Sequence, residues 1–240
     1  MTKSEESARV LCWDIETRGL VGDYGSILCI GWQWWGDSKV HVKSIHDIPG
    51  KHPLDDRELV RWFMKEVWAE ADIAVGWYSG GHDEPMLRTR AIIHGFKPPK
   101  DVTTLDLWGK CWKRFKFSKN SLDNVSRHLK LGKKWYNPSD DFEKVLYGDK
   151  AAMKRIVKHC RIGVEITTAA YKRFGPYVVA HPRVTLDNTR CRRCGSDRLQ
   201  RRGWRFSALK GKTVQVQCQG CGGWDQKTQA EVGMRSKRNA

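Results

Sequence analysis

The apolar positions of residues 9–17 (RVLCWDIET) form a short continuous run that ends in acids, the pattern of a buried strand. Residues 27–35 (ILCIGWQWW) predict a second strand, and Gly36-Asp37 behind it is a turn signal. Residues 39–45 (KVHVKSI) alternate and predict the third strand of a meander. Pro53 and the Asp55-Asp56 pair then open a helix through about Ala69, with Leu59, Phe63 and Val67 at helical spacing. A short strand over 73–77, a helix over 84–94 with Pro85 in its first turn, and a short strand over 103–107 follow. Ser121 is placed to cap a helix over 122–131. Further helices cover 140–147 and a long span from Asp149 toward Phe174, ended by Gly175-Pro176. Three strands in succession and then alternating helices and short strands predict an α/β domain, a mixed sheet flanked by helices. Residues 180–188 read as a linker, and from Cys191 the composition turns to Arg, Gly, Gln and Cys. The expected division is an α/β domain over 8–178, a linker over 179–189, a small second module over 190–228 and a basic tail over 229–240.

Composition refines this outline. The 240 residues, 40% hydrophobic and 30% charged, suit a core of roughly 180 residues with an appendage. Twelve Trp, most of them before residue 136, predict a well-filled core in the first part. No apolar run approaches the roughly 20 residues of a membrane span. Residues 1–7 are polar and read as a frayed start, unlike a secretory signal. Four of the eight Cys stand in CxxC pairs, so a reducing cytoplasm with bound metal is expected rather than disulfides. Cys12, Cys29, Cys111 and Cys160 read as small buried hydrophobes.

The net charge of +17 points to a polyanionic partner, of which nucleic acid is the usual one, or else to a merely solvated basic surface. Between Lys110 and Lys134 stand nine Lys/Arg and a single acid, Asp123. Trp112, Phe115, Phe117, Trp135 and Tyr136 are interleaved with them. Lys113, Arg114, Lys116 and Lys119 would then grip phosphates while rings stack on bases, as a single strand requires. The competing reading puts the rings in the core and the charges in water.

Asp14 and Glu16 sit two apart on the first strand, so both carboxylates face one side. Two crowded acids are unfavourable unless a cation lies between them, and Mg²⁺ or Mn²⁺ suits such hard oxygen ligands. A bare Asp-x-Glu arises often by chance, so the surrounding motifs decide.

Those motifs resemble the DEDD family of 3′–5′ exonucleases, most closely the proofreading domains of family B DNA polymerases and their stand-alone relatives. Residues 11–17 (LCWDIET) look like the family's first motif. Residues 75–87 (VGWYSGGHDEPML) are similar to its second and place Asp83 on the third carboxylate, with Tyr78 and His82 where Asn and Phe are usual. Asp106 matches an acid after the following strand, and residues 121–125 (SLDNV) match the stretch before the last motif. The resemblance spans about residues 10–174 and implies a ribonuclease-H-like fold. It also implies two-metal cleavage of a phosphodiester at a 3′ end. It assigns Asp14 to bridge both metals, Glu16 to the first and Asp83 to the second.

The last motif departs from the family. In residues 159–167 (HCRIGVEIT), His159 takes the Tyr place and Gly163 takes the place of the fourth acid. His159 would orient or deprotonate the attacking water. Gly163 removes a ligand of the first metal. Glu165 lies about 200° round the helix and cannot substitute. A Gly inside a helix also costs about 1 kcal/mol relative to Ala. Three accounts stay open: a disabled exonuclease, a divergent enzyme with a weakened first metal site, and a protein that only binds.

Behind this domain, Cys191-x-x-Cys194-Gly and Cys218-x-x-Cys221-Gly are separated by 23 residues. Four thiolates at this spacing suit a tetrahedral, structural Zn²⁺, and 200–205 and 213–217 read as strands of a zinc ribbon. Arg192, Arg193 and Arg202, with Trp204, would make a nucleic-acid surface on it, or else the ribbon docks a protein. The reading is an exonuclease on DNA or RNA, impaired by Gly163. The alternative is a non-catalytic nucleic-acid binder, or an adaptor to a replication, repair or transcription complex.

Overall fold

The computed structural model describes residues 7–134, 136–178, 181–207 and 211–233. Three expectations fall outside them: the start over residues 1–6, Trp135 in the basic stretch, and the tail from residue 234 onward. The chain forms two compact units, Arg9–Tyr171 and a second from residue 172 onward that includes residues 7–8.

In the first unit, β1 (Val10–Arg18) is the middle strand of five. β2 (Ser26–Trp34) pairs with it antiparallel, and β3 (His41–Ser44) pairs antiparallel with β2. On the other side β4 (Ile73–Gly76) and β5 (Thr103–Asp106) continue the sheet in parallel. The order β3-β2-β1-β4-β5 is the mixed sheet expected from three strands followed by alternating elements. β1 is buried along nearly its whole length, which is why its sequence is a run rather than an alternation.

α1 (Arg57–Glu66) lays Leu59, Val60 and Phe63 on this sheet. Trp13 of β1 stacks on Phe63 at 5.7 Å and meets the edge of Trp68 at 5.0 Å. Fully burying one such aliphatic or aromatic side chain is worth about 1.5–3 kcal/mol, so this cluster anchors the core. α2 (Asp83–Ile93), α3 (Leu107–Arg114), α4 (Leu122–Leu129), α5 (Ser139–Leu146) and α6 (Lys150–Phe174) follow. Ser121 caps α4, accepting from Asn124 N at 3.3 Å. α4 ends before the expected residue 131 because Lys130 takes a left-handed φ of 55°. α6 is capped by Asp149, which accepts from the amides of Ala151 and Ala152.

α3 was not expected, because its charges mask an apolar face that buries Leu107 and Cys111. Asp106 caps it through Trp108 N at 2.9 Å and accepts from Tyr78 N at 2.9 Å. Its carboxylate therefore fixes the backbone of two loops.

The second unit holds an antiparallel sheet of β6 (Leu199–Ser207), β7 (Gly211–Cys218) and β8 (Trp224–Lys227), with α7 (Gln229–Gly233) after it. The first two strands were expected; β8 is charged and short, and gave no signal. The supposedly frayed start is corrected at Ser7, which bridges to Thr185, while Ala8 N donates to Val184 O at 2.9 Å. Among the described residues no helix is long and apolar enough to cross a membrane.

Candidate functional site

β1 carries Asp14 opposite Gly31 and Glu16 opposite Cys29 of β2, and the register shifts just after Glu16. Gly31 sets how close α6 comes. A Cβ there would lie 2.8 Å from Cys160 Sγ and 2.9 Å from Val164, too tight to accommodate. With α6 seated on Gly31 through Cys160 and Val164, His159 and Gly163, one turn apart, face the two acids. His159 Nε2 lies 3.7 Å from Glu16 Oε1. Glu165 is exposed, as its position on the helix requires.

Asp83 opens α2, where a helix N-terminus favours a carboxylate. Its Oδ1 accepts from Ile15 N at 3.1 Å, which fixes the third acid to the strand between the other two. The loop before it carries one departure from the motif that the sequence resembles. Tyr78 has a left-handed φ of 62°, a conformation Asn tolerates better than a bulky residue. Its ring lies against Gly81, where any side chain would collide with it, and edge-on to Trp108 at 5.1 Å. His82 Nε2 stands 3.3 Å from Thr17 Oγ1.

The carboxyls are raised above their ordinary range. Burial is the largest cause for all three: it pushes Glu16 up to about 8, lifts Asp14, and takes Asp83 well above the carboxylate range with Asp14 adding to the effect. His159 is lowered to about 4, by burial first and then by the nearby Lys134 ammonium. A neutral imidazole beside crowded acids follows. Lys134 was counted only as one of nine basic residues. Its Nζ stands 3.6 Å from Asp14 Oδ2 and 4.0 Å from Glu16 Oε1, and no local pattern in the sequence flags it.

The donor set suits the divalent ions that the resemblance implies only in part. Three hard carboxylates lie on neighbouring backbone, and Asp14 Oδ2 is buried with no hydrogen-bond partner among the described residues, as a cation ligand would be. These residues fit one divalent ion. They do not fit a second, because position 163 offers no carboxylate and an ammonium stands beside Asp14. The acids are also not drawn into a tight cluster. Among the described residues, the groups of three or more ligand atoms within 4.8 Å are the four CxxC cysteines and Asp55, Asp56 and His94.

That second group is already satisfied by the protein. Asp56 is fully buried, accepts from Ile27 N at 2.8 Å, and is gripped by Arg90 Nε at 2.9 Å and Nη2 at 2.8 Å. Asp55 accepts from the amides of Lys51 and Arg57. With a guanidinium on Asp56, this is an ion-pair network that joins α1, α2 and β2. The pair expected merely to open α1 has this larger role.

In the second unit the four cysteines form the cluster the spacing implied. Cys191 and Cys221 sulfurs lie 3.8 Å apart, and those of Cys194 and Cys218 lie 3.7 Å apart. Four sulfurs at 2.3 Å from a tetrahedral Zn²⁺ would be separated by about 3.8 Å. Gly195 and Gly222 turn the chain behind each knuckle with φ of 71° and 78°. The cluster suits a structural zinc.

The basic candidates divide. Lys113, Arg114, Lys116 and Lys119 are exposed, and so is Trp112, while Phe115 and Phe117 are half-buried and pack on each other at 6.1 Å. In the second unit, exposed Trp204 has Arg201 at 4.6 Å and Lys212 at 4.3 Å over its ring. Arg202 is exposed and rests on Gln217 Oε1 at 2.9 Å. Arg192 is half-buried. Arg193 differs from the exposed surface residue expected: it is buried, its guanidinium donating to the carbonyls of Val178 and Trp224, so it supports the fold.

No curated protein sequence matches the chain. Residues 11–174, more than half of its length, match RNase_H_2 of the RNase_H superfamily, whose fold is commonly that of nucleases and implies nucleic-acid binding. The match covers the sheet, the three acids, His159 and Gly163, and the chain belongs to the RNase_H_2 family.

Proposed function

We propose that the chain is a metal-dependent 3′–5′ exonuclease of reduced rate, acting on a single-stranded 3′ end of DNA or RNA. One observation carries this reading: Asp14 and Glu16 on the central strand, Asp83 tied to that strand, and His159 3.7 Å from Glu16 form a single acidic centre. A bound divalent ion supplies charge neutralisation and Lewis acidity at the scissile phosphate. Asp14 and Asp83 would hold it. His159, neutral near pH 7, offers a ring nitrogen that can take a proton from the attacking water. Lys113, Arg114, Lys116 and Lys119 would track the backbone of the strand and give the binding its salt dependence. The ribbon, with Trp204 between Arg201 and Lys212, would add a stacking site. The reduced rate follows from Gly163, since losing one electrostatic contributor of this kind costs about 2.7–4 kcal/mol in comparable sites.

The test is cleavage of 5′-labelled single-stranded DNA and RNA with Mg²⁺ or Mn²⁺. Slow shortening from the 3′ end, lost in Asp14→Asn, is expected. Tight binding without shortening, in the chain and in variants that restore an acid at 163, would make it a non-catalytic binder. A docking role for the ribbon would instead leave binding unchanged when residues after Arg183 are removed.

A further inference from the structure

Lys134 and Gly163 share one space. The Lys134 Nζ lies 3.6 Å from Asp14 Oδ2 and 4.0 Å from Glu16 Oε1, and its side chain is only 22% exposed. A Cβ on Gly163 would collide with Asp14 Oδ2 and lie 3.2 Å from that same Nζ. An acidic side chain at 163 could not enter without moving both groups. The missing carboxylate and the inserted ammonium are therefore two halves of one arrangement.

The charges agree with this geometry. Four acids balance two divalent ions. Here Gly163 withdraws one negative charge and Lys134 adds one positive charge, and together they change the balance by the charge of one divalent ion. Three carboxylates with the ammonium retain room for a single divalent ion before the centre becomes net positive. An ammonium has three donors and no way to bind water as a Lewis acid does, so it can hold the carboxylates in place but cannot activate a nucleophile.

We propose that Lys134 holds the first cation position of this centre, beside Glu16 and Gly163, so that the chain takes up one divalent ion, against Asp14 and Asp83, and not two. This rests on the exonuclease reading only in taking the acids as a divalent-ion site. The test is Mn²⁺ titration of the 240-residue, zinc-loaded chain near neutral pH, by calorimetry and by the electron paramagnetic resonance of free Mn²⁺. One bound ion, lost in Asp14→Asn, is expected. Lys134→Met keeps the stem without the charge and should bind Mn²⁺ at least about tenfold more tightly, or bind a second ion, since a unit charge about 4 Å away acts strongly in a partly buried site. Lys134→Arg keeps the charge and should leave the count at one. Two ions in the unaltered chain, or a folded Lys134→Met with unchanged count and affinity, overturns the proposal and leaves the exonuclease reading standing. No bound ion in the unaltered chain overturns both. The count in the unaltered chain needs no variant to fold.

Discussion

Asp83 Oδ1 accepts a hydrogen bond from Ile15 N at 3.1 Å, so the third acid of the centre is anchored to the backbone between the first two. The contact crosses from the start of α2 to the middle of β1. On the proposed reading Asp83 has two separable tasks, holding a cation and satisfying a buried amide.

Substitution separates them. Asp83→Asn keeps an oxygen toward Ile15 N and loses the charge, so it should abolish cleavage and keep stability within about 1 kcal/mol. Asp83→Ala leaves the amide unsatisfied and should destabilise by about 1–3 kcal/mol with the same loss of cleavage. Urea denaturation beside the 5′-label assay reads both. Equal stability of the two variants would mean that the hydrogen bond contributes nothing.

The sheet and the three acids were legible because their signals are local. A buried run ending in Asp-x-Glu, a Pro in the first turn of α2 and paired CxxC motifs each declare themselves within a few residues. Lys134 was hidden because its meaning is long-range: it meets Asp14 across 120 positions of chain, and in sequence it is one lysine among many. Arg193 misled for the same reason. A basic residue beside a zinc ligand reads as surface, and only the fold reveals the carbonyls of Val178 and Trp224 around it. Gly163 was visible as an oddity, but the closeness of Asp14 Oδ2, against which a Cβ there would stand, was not.

Restoring the acid at 163 should therefore disappoint on its own. Gly163→Asp sets its Cβ against Asp14 and beside Lys134, so any gain in cleavage should be small. Combined with Lys134→Met, the same change frees the space, and cleavage should rise at least about tenfold over the single variant, part of the 10²–10³ that such a contributor supplies. Initial rates on the labelled strand decide it. Full recovery in Gly163→Asp alone would show that Lys134 is no obstacle.

Asp56 joins α1, α2 and β2 through Arg90, His94 and Ile27 N. Asp56→Ala would leave the Arg90 guanidinium buried without its carboxylate, and breaking such a pair from one side costs about 3–5 kcal/mol. Chemical denaturation should register that loss. Because Arg90 already occupies the carboxylate, Asp56→Asn should not alter the number of Mn²⁺ ions the chain binds. A lower count would mean that this cluster takes a cation after all.

Asp141 ties α5 to α6 by accepting from Arg155 Nε and Nη2, each at 2.7 Å, and from the Tyr136 hydroxyl. Chiefly through Arg155, its carboxyl is held well below the usual carboxylate range. The folded chain thus keeps Asp141 ionised where the unfolded chain, with an ordinary value near 3.9, takes up a proton. Stability from this pair is full above about pH 5 and declines as pH falls below about 4, toward the depressed folded value. In urea midpoints measured across that range, Asp141→Asn should flatten the acid limb. An unchanged slope would assign the acid sensitivity to other groups.

The basic residues give the last contrast. Lys113 and Lys116 are exposed, while Arg193 is buried on backbone carbonyls. If the exposed pair contacts phosphates, Lys113→Ala with Lys116→Ala should weaken single-strand binding and lower the slope of log K against log salt by about 0.7 for each contact removed. The thermal midpoint should stay where it is, since neither side chain is buried. Arg193→Ala should do the reverse. It leaves the carbonyls of Val178 and Trp224 without their donor, so the second unit should lose stability while the salt slope is unchanged at temperatures where it remains folded. Filter binding across a salt series, run beside thermal melts, separates the two. A lower salt slope in folded Arg193→Ala would return that residue to the nucleic-acid surface.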